Sequence, residues 1–239
     1  MSPNDLSMAF ETHVLSHVAT PCRMDIFHMI VHIDIIRPNV NMRSMTDRDK
    51  YILDAAVRLF SRYGVKRTSM GDLAEEAGVA RQTLYNAYKN KDDVLRALIR
   101  YHTDMAIDEI EAGLDGVQAL GDQLDIIFNR MSVAGFDLVQ ATPNAQDIIE
   151  GFNAIGQREL EASAEKFRAV IERILSPHEA ALLRSGLTAI GLSDFVQRSA
   201  KAASSDARDR DHLIGQLNTL KNLCQVATAT DAASLNTMV

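Results

Sequence analysis

Proline and glycine are scarce, at 5 and 12 of 239 residues, and no sustained alternation of apolar and polar residues replaces the helices they would break. Apolar residues instead recur three and four apart from Tyr51 onward, so the pattern predicts an all-α protein. Cysteine is rarer still. Cys22 and Cys224 stand far apart with no CxxC spacing, which excludes a disulfide framework or a thiolate zinc site and fits a reducing cytoplasm. No run of 18 apolar residues occurs, so no membrane-spanning helix is predicted. The most apolar early stretch, 24–36, is broken by Asp25, His28, His32 and Asp34 and lacks the basic front and small-residue cleavage site of a secretion signal. Also missing are a nucleophile beside a base, paired carboxylates in a cleft and a phosphate-cradling glycine loop at recognised spacing. Asp108, Glu109 and Glu111 read as solvated helix faces. The expectation is therefore no enzyme and no cofactor.

What is present is ordinary in amount, with 46% apolar and 24% charged residues, but uneven in charge. The net charge of −7 divides into −1 for residues 1–45, +3 for 46–101 and −9 for 102–239. A mildly basic block joined to an acidic body suits a small module that meets phosphates while the rest avoids them.

Residues 1–45 differ from the rest. They hold His13, His17, His28 and His32 and no clean helical stripe, and Met42 and Met45 stand just before the first strong helix signal. The segment is expected to be a disordered extension, or upstream sequence before a misassigned start. The two histidine pairs are each four apart, a spacing that suits a metal on a helix, but without a helix there they imply no metal site.

Helix signals then follow closely. Thr46 and Asp49 form a capping-box-like pair before a helix over 46–63, with Ile52, Ala56, Leu59, Phe60 and Tyr63 on one face and Gly64 stopping it. Ser69 caps a short helix over 70–77 that Gly78 ends, and a third helix runs over 81–88. Asn90 caps a long helix toward Gly113, with Asp92 and Asp93 where the helix dipole favours acid. Further helices are expected over 117–134, 144–155, 157–175, 178–203 and 208–226, with a flexible tail over 227–239.

Two helices joined by a short glycine-containing turn make a helix-turn-helix, whose second helix the major groove admits. Here that helix reads Arg81-Gln82-Thr83-Leu84-Tyr85-Asn86-Ala87-Tyr88. Arg81, Gln82 and Thr83 offer groups for base edges or phosphates, although the same residues also suit a merely solvated helix face. Leu84 and Tyr88, four apart, can hold the helix onto its neighbours, and Lys91 starts the next helix near where a phosphate would lie.

The spaced pattern Ala55-Ala56, Leu59-Phe60, Gly64, Thr68-Ser69, Leu73-Ala74, Ala77-Gly78-Val79, Thr83-Leu84-Tyr85 and Asn90-Lys91 resembles the TetR/AcrR family of bacterial transcriptional regulators. The resemblance covers about a fifth of the chain, within 51–98. It implies an N-terminal three-helix DNA-binding domain over 46–91 and a C-terminal helical ligand-binding and dimerisation domain over 92–226. It implies that Ser69 caps the second helix and touches a phosphate, that Arg81, Gln82 and Thr83 read bases, and that Tyr85 and Lys91 meet the backbone. Arginine gripping guanine is the commonest specific base contact, so Arg81 leads the candidates. Three positions depart from the family. Ala80 replaces the usual serine cap, at a cost of about 1 kcal/mol. Ala87 replaces a phosphate-contacting tyrosine or histidine, and Tyr88 replaces a phenylalanine, its hydroxyl a partial substitute.

The resemblance further implies a homodimer formed through the last two helices, and a palindromic operator to match. The expected faces are Ala181, Leu182, Ser185, Thr188, Ala189, Leu192 and Phe195, with Leu213, Leu217, Leu220, Leu223 and Cys224. A small-molecule effector is expected among His102, Met105, Phe128, Met131 and Phe152, with Phe136 and Phe167 nearby; plain core gives the same pattern. The function expected is operator binding by a cytoplasmic repressor released by that effector. A dimeric binding module without operator reading, or an activator, is the alternative.

Overall fold

A computed structural model of the chain describes residues 46–229, all within one compact unit, except for the side chains of Gln146 and residues 152–154. The expectations for 1–45 and for 230–239 therefore lie outside the described residues. Among the described residues the regular structure is helical, without strands.

Four helices make the amino-terminal head. α1 (Asp47–Tyr63) starts at Thr46, whose side chain accepts from Asp49 N while Asp49 reaches back to the Thr46 backbone. Gly64 ends it at φ 82°, ψ 160°, a region essentially closed to any other residue. α2 (Met70–Glu76) repeats the capping box with Ser69 and Asp72, and α3 (Arg81–Ala87) follows after Gly78 at φ 65°. α4 (Lys91–Leu114) is capped by Asn90. Ile52, Leu53, Ala56 and Phe60 of α1 pack against Leu73 of α2, Leu84 of α3 and Val94, Leu95, Leu98 and Tyr101 of α4. Each such side chain contributes roughly 1.5–3 kcal/mol when fully buried, so α4 supplies a large part of this core. The head thus runs past the boundary expected at 91/92, through three turns of α4.

The helical body is built from α5 (Leu120–Phe128), a π-turn (Asn129–Val133), α6 (Ala134–Ala141), α7 (Ala145–Ile155), α8 (Gln157–Leu175), α9 (Glu179–Arg184), α10 (Ala189–Asp206) and α11 (Arg210–Thr228). Its own core gathers Ile110 of α4 with Leu124 and Ile127, Ile171 and Leu175, Leu182, Val196, Leu213 and Cys224. α4 therefore enters both cores: Met105 packs against the first, Ala106 and Ile107 against the second. A polar ladder ties α4 to α8, with Arg100 to Glu159, Thr103 to Ser163, Lys166 to Asp104 and Arg173 to Glu111. Exposed ion pairs add little energy singly, but three in a row with the Thr103–Ser163 hydrogen bond among them fix the register of the two helices.

Two expected boundaries change. The break at Gly135 is absent: a Cβ there would meet nothing within 4 Å, and the chain stays helical by inserting the π-turn just before it. The single helix over 178–203 is divided at Gly186, whose φ of 72° lets Leu187 N donate to Leu182 O and Gly186 N to Leu183 O, a Schellman closure. Thr188 then caps α10.

That division also corrects the expected dimer faces. Ala181, Leu182, Ala189, Leu192, Leu213, Leu217, Leu220 and Cys224 are buried in the chain's own core. Of the expected faces Ser185, Thr188, Phe195 and Leu223 are exposed, and beside them Leu183, Leu187, Ile190 and Val226 also stand outward on α9–α11. From Gly215 to Val226 the one charged side chain is Lys221, which pairs with Asp125.

Candidate nucleic-acid interface

α3 is amphipathic over only two turns. Leu84 is fully buried, Thr83 and Tyr88 partly so, and Arg81, Gln82, Tyr85, Asn86 and Ala87 are exposed. This leaves one polar, donor-rich side facing away from α1 and α2. Gln82 Nε2 donates to Asn86 Oδ1 at 2.9 Å, which holds the two amides along that side, and leaves Gln82 a free N–H and a carbonyl for a base edge. The helix has no side-chain cap, since Ala80 offers none, so its first-turn N–H groups are open.

The start of α2 lies beside it. Ser69 Oγ accepts from Asp72 N at 3.2 Å, and the hydroxyl faces the Asp72 carboxylate at the exposed start of the helix. Asp72 accepts from Ser69 N at 2.8 Å, and this backbone bond, with the Ser69 hydroxyl and the Arg81 charge, holds its carboxyl below the ordinary aspartate range. The Arg81 guanidinium lies over Gly71: a Cβ there would sit 2.7 Å from Arg81 Nη2 and 3.4 Å from Ser69 Oγ. Sequence reasoning did not single out Gly71. Its bare backbone brings Arg81 and Ser69 together at a helix N-terminus, the arrangement that suits a phosphate.

The remaining expected contacts sit as follows. Tyr85 is about half exposed, with its ring on the outer side of α3. Tyr88 is half-buried, and desolvation together with nearby Asp49 pushes its hydroxyl up to about 12, so it is a donor throughout the neutral range. Lys91 turns inward, donating to Val65 O at 2.6 Å and Thr68 O at 2.9 Å. It clamps the α1–α2 turn and keeps one of its three N–H groups for a phosphate.

The expected effector residues are not brought into one group. His102 is exposed beside Tyr101, and Met105 packs against the head core. Phe128 is buried in the body core, with Met131 packed against it, and the Phe152 side chain lies outside the described residues. Phe128 also borders a groove of about 390 Å³ between α5 and α11, lined by Ile126, Val133, Ile214 and Leu217 and rimmed by Asp125, Asn129 and Asn218. Among the described residues no group of three His, Cys, Asp or Glu side chains is placed to hold a metal ion, and no helix is long and apolar enough to cross a membrane.

Comparison with known proteins agrees with this geometry. Residues 52–98 match the family model of the bacterial regulatory proteins of the tetR family. An HTH-type transcriptional repressor of Mycobacterium tuberculosis is 26% identical over 77% of the chain and 97% of its own length. The regulator AcrR of Shigella flexneri is 49% identical over 19% of the chain and 21% of its length, so that likeness concerns a short segment. Among solved structures, the fatty acid degradation regulator FadR of Bacillus halodurans shares the fold with a TM-score of 0.57 at 16% identity, over 80% of this chain and 99% of that one. The SmeT–triclosan complex does so with 0.53 at 17%, over 76% and 91%. The named relatives are transcription regulators, not enzymes. With the matched model spanning α1 to the second turn of α4, residues 52–98 form a helix-turn-helix segment of the kind found in the bacterial regulatory proteins of the tetR family.

Proposed function

We propose that the chain is a repressor that binds a palindromic operator as a homodimer and leaves it when a small molecule binds the helical body. The observation that carries the reading is the outer side of α3 beside the start of α2, where Arg81, Gln82, Tyr85 and Asn86 stand exposed on a buried Leu84 next to the Ser69 hydroxyl. In this reading Gln82 and Thr83 address bases, Ser69 and Arg81 share a phosphate or Arg81 swings to a guanine, and Tyr85, Tyr88 and the remaining N–H of Lys91 complete the backbone contacts. The second copy is supported by the apolar side chains that α10 and α11 leave outside the chain's own core, where Ile190 is 65% and Leu223 57% exposed. Exposed apolar stripes of this size on adjacent helices are a usual mark of association. A twofold pair demands two half-sites a whole number of helical turns apart.

Release by an effector requires a molecule that binds better when the two heads no longer fit successive grooves. The groove lined by Phe128, Ile126, Val133, Ile214 and Leu217 suits an apolar or amphipathic molecule. SmeT, similar in fold, is described bound to triclosan, which fits the same class of ligand.

Selection of bound DNA from a random pool tests the reading. Recovery of one palindrome, bound less tightly as salt rises, is the expected result. Equal recovery of all sequences would instead support a dimeric module without operator reading, a role that the uncapped α3 would tolerate.

A further inference from the structure

The turn between α1 and α2, residues 64–68, is the hinge of the reading head, because Ser69 follows it directly and α2 and α3 hang from it. It is gripped from two sides. Lys91 holds it from α4 through the carbonyls of Val65 and Thr68, as described above. The second grip comes from the body. Asn144, ahead of α7, donates through Nδ2 to both Ser61 O and Arg62 O at 3.0 Å, the open carbonyls at the end of α1. Asp147 in the first turn of α7 accepts from Lys66 N at 3.1 Å, and its Oδ2 lies only 2.6 Å from where a Cβ of Gly64 would stand. Lys66 Nζ reaches across to Glu150 at 3.2 Å and Asp147 at 3.4 Å. Ile148 and Ile155 of the same helix pack against the head core. Glycine at 64 is thus required twice, for its φ of 82° and for the closeness of the carboxylate.

We propose that Asn144 and Asp147 are positioning residues for operator binding, fixing the angle at which α2 and α3 leave α1. This rests on the DNA-binding reading above and adds a second mechanical connection, through α7, to the one that α4 provides. Neither residue lies on α3 or on the capping turn of α2, so neither is expected to touch DNA. Their effect is on where the paired heads sit, and hence on the half-site spacing that the dimer accepts.

The test uses the full chain and the operator recovered by selection, together with duplexes whose centre is lengthened or shortened by one or two base pairs. Asn144→Ala and Asp147→Ala are expected to weaken binding to the natural spacing about tenfold, the equivalent of one or two hydrogen bonds, and to flatten the preference among spacings. Asp147→Asn keeps an oxygen that accepts from Lys66 N and is expected to retain most of that preference. Loss of stability alone would lower the active fraction at every spacing alike. Should Asp147→Ala fail to melt cooperatively, Asn144→Ala carries the same comparison, since its bonds are at the surface end of α1. Alanine variants that melt as folded proteins and keep the wild-type affinity and spacing preference overturn the proposal alone. Wild-type protein that recovers no preferred sequence overturns the operator reading as well.

Discussion

Ala80→Ser is expected to stabilise the chain, and the size of the gain follows from the caps of the head. Thr46, Ser69 and Asn90 each accept from the backbone N–H three residues on, at 3.2, 3.2 and 2.9 Å, whereas α3 begins at Ala80 with no side-chain partner. The Ala80 backbone is already extended, at φ −64° and ψ 143°, and the residue is exposed, so a serine needs no rearrangement to accept from Thr83 N. Serine in place of alanine at such a position is worth about 1 kcal/mol. For a cooperative unit of this size that raises the melting temperature by about 2–4 °C. Thermal and urea denaturation followed by circular dichroism measure it. Ala80→Asp sharpens the comparison: it should stabilise similarly, because it also complements the helix dipole, yet weaken DNA binding by placing a negative charge beside phosphates. A serine variant that melts at or below the wild type would refute the claim that α3 starts with unsatisfied N–H groups.

Arg81→Ala should cost about 1–3 kcal/mol of binding and relax the preference at one base pair of each half-site if the guanidinium reads a guanine; an equal loss on all sequences in anisotropy titrations would assign it to phosphate with Ser69. Lys91→Met should lower stability by about 2 kcal/mol, since two carbonyls lose a charged donor, and weaken all DNA sequences alike; unchanged melting would dismiss the clamp. Ile190→Asp or Leu223→Asp should shift a dimer toward monomer in sedimentation velocity without unfolding it, because both side chains are exposed within the single chain. Asp72 and Asp147 both have carboxyls held below their ordinary range, first of all by backbone N–H groups of Ser69 and Lys66. Their stabilisation is complete at neutral pH and is lost as pH falls below about 4 through the folded values, so Asp147→Asn should lose less stability than wild type between pH 5 and 2.

Local chemistry made the head legible. A cap and its third residue, or a glycine at positive φ, act within one turn, so Thr46–Asp49, Ser69, Gly64 and Gly78 announce themselves without knowledge of the fold. The same logic misled at Gly135, where glycine meets open space and helix simply continues, and passed over Gly186, where the apolar rhythm ran on through a real chain reversal. Faces were harder than elements. Leu213, Leu217, Leu220 and Cys224 form a tidy stripe that an interface and a core would share, and only the packing of α11 against α5 and α10 assigns it to the core. Asn144 and Asp147 gave no signal at all. Their partners are about 80 residues away, and no local pattern encodes a contact at that distance.

The crossing of α4 from one apolar cluster to the other, between Met105 and Ala106, sets where this molecule can be cut and rejoined. A fragment ending at Lys91, or at the last matched residue Leu98, would strip Tyr101 and in the first case Val94, Leu95 and Leu98 from the α1–α3 assembly, leaving Leu53, Phe60 and Leu84 open to water. A chimera that exchanges operator specificity between two such regulators should therefore carry its donor sequence as far as Met105, and should bring the donor's counterparts of Asn144 and Asp147 with it.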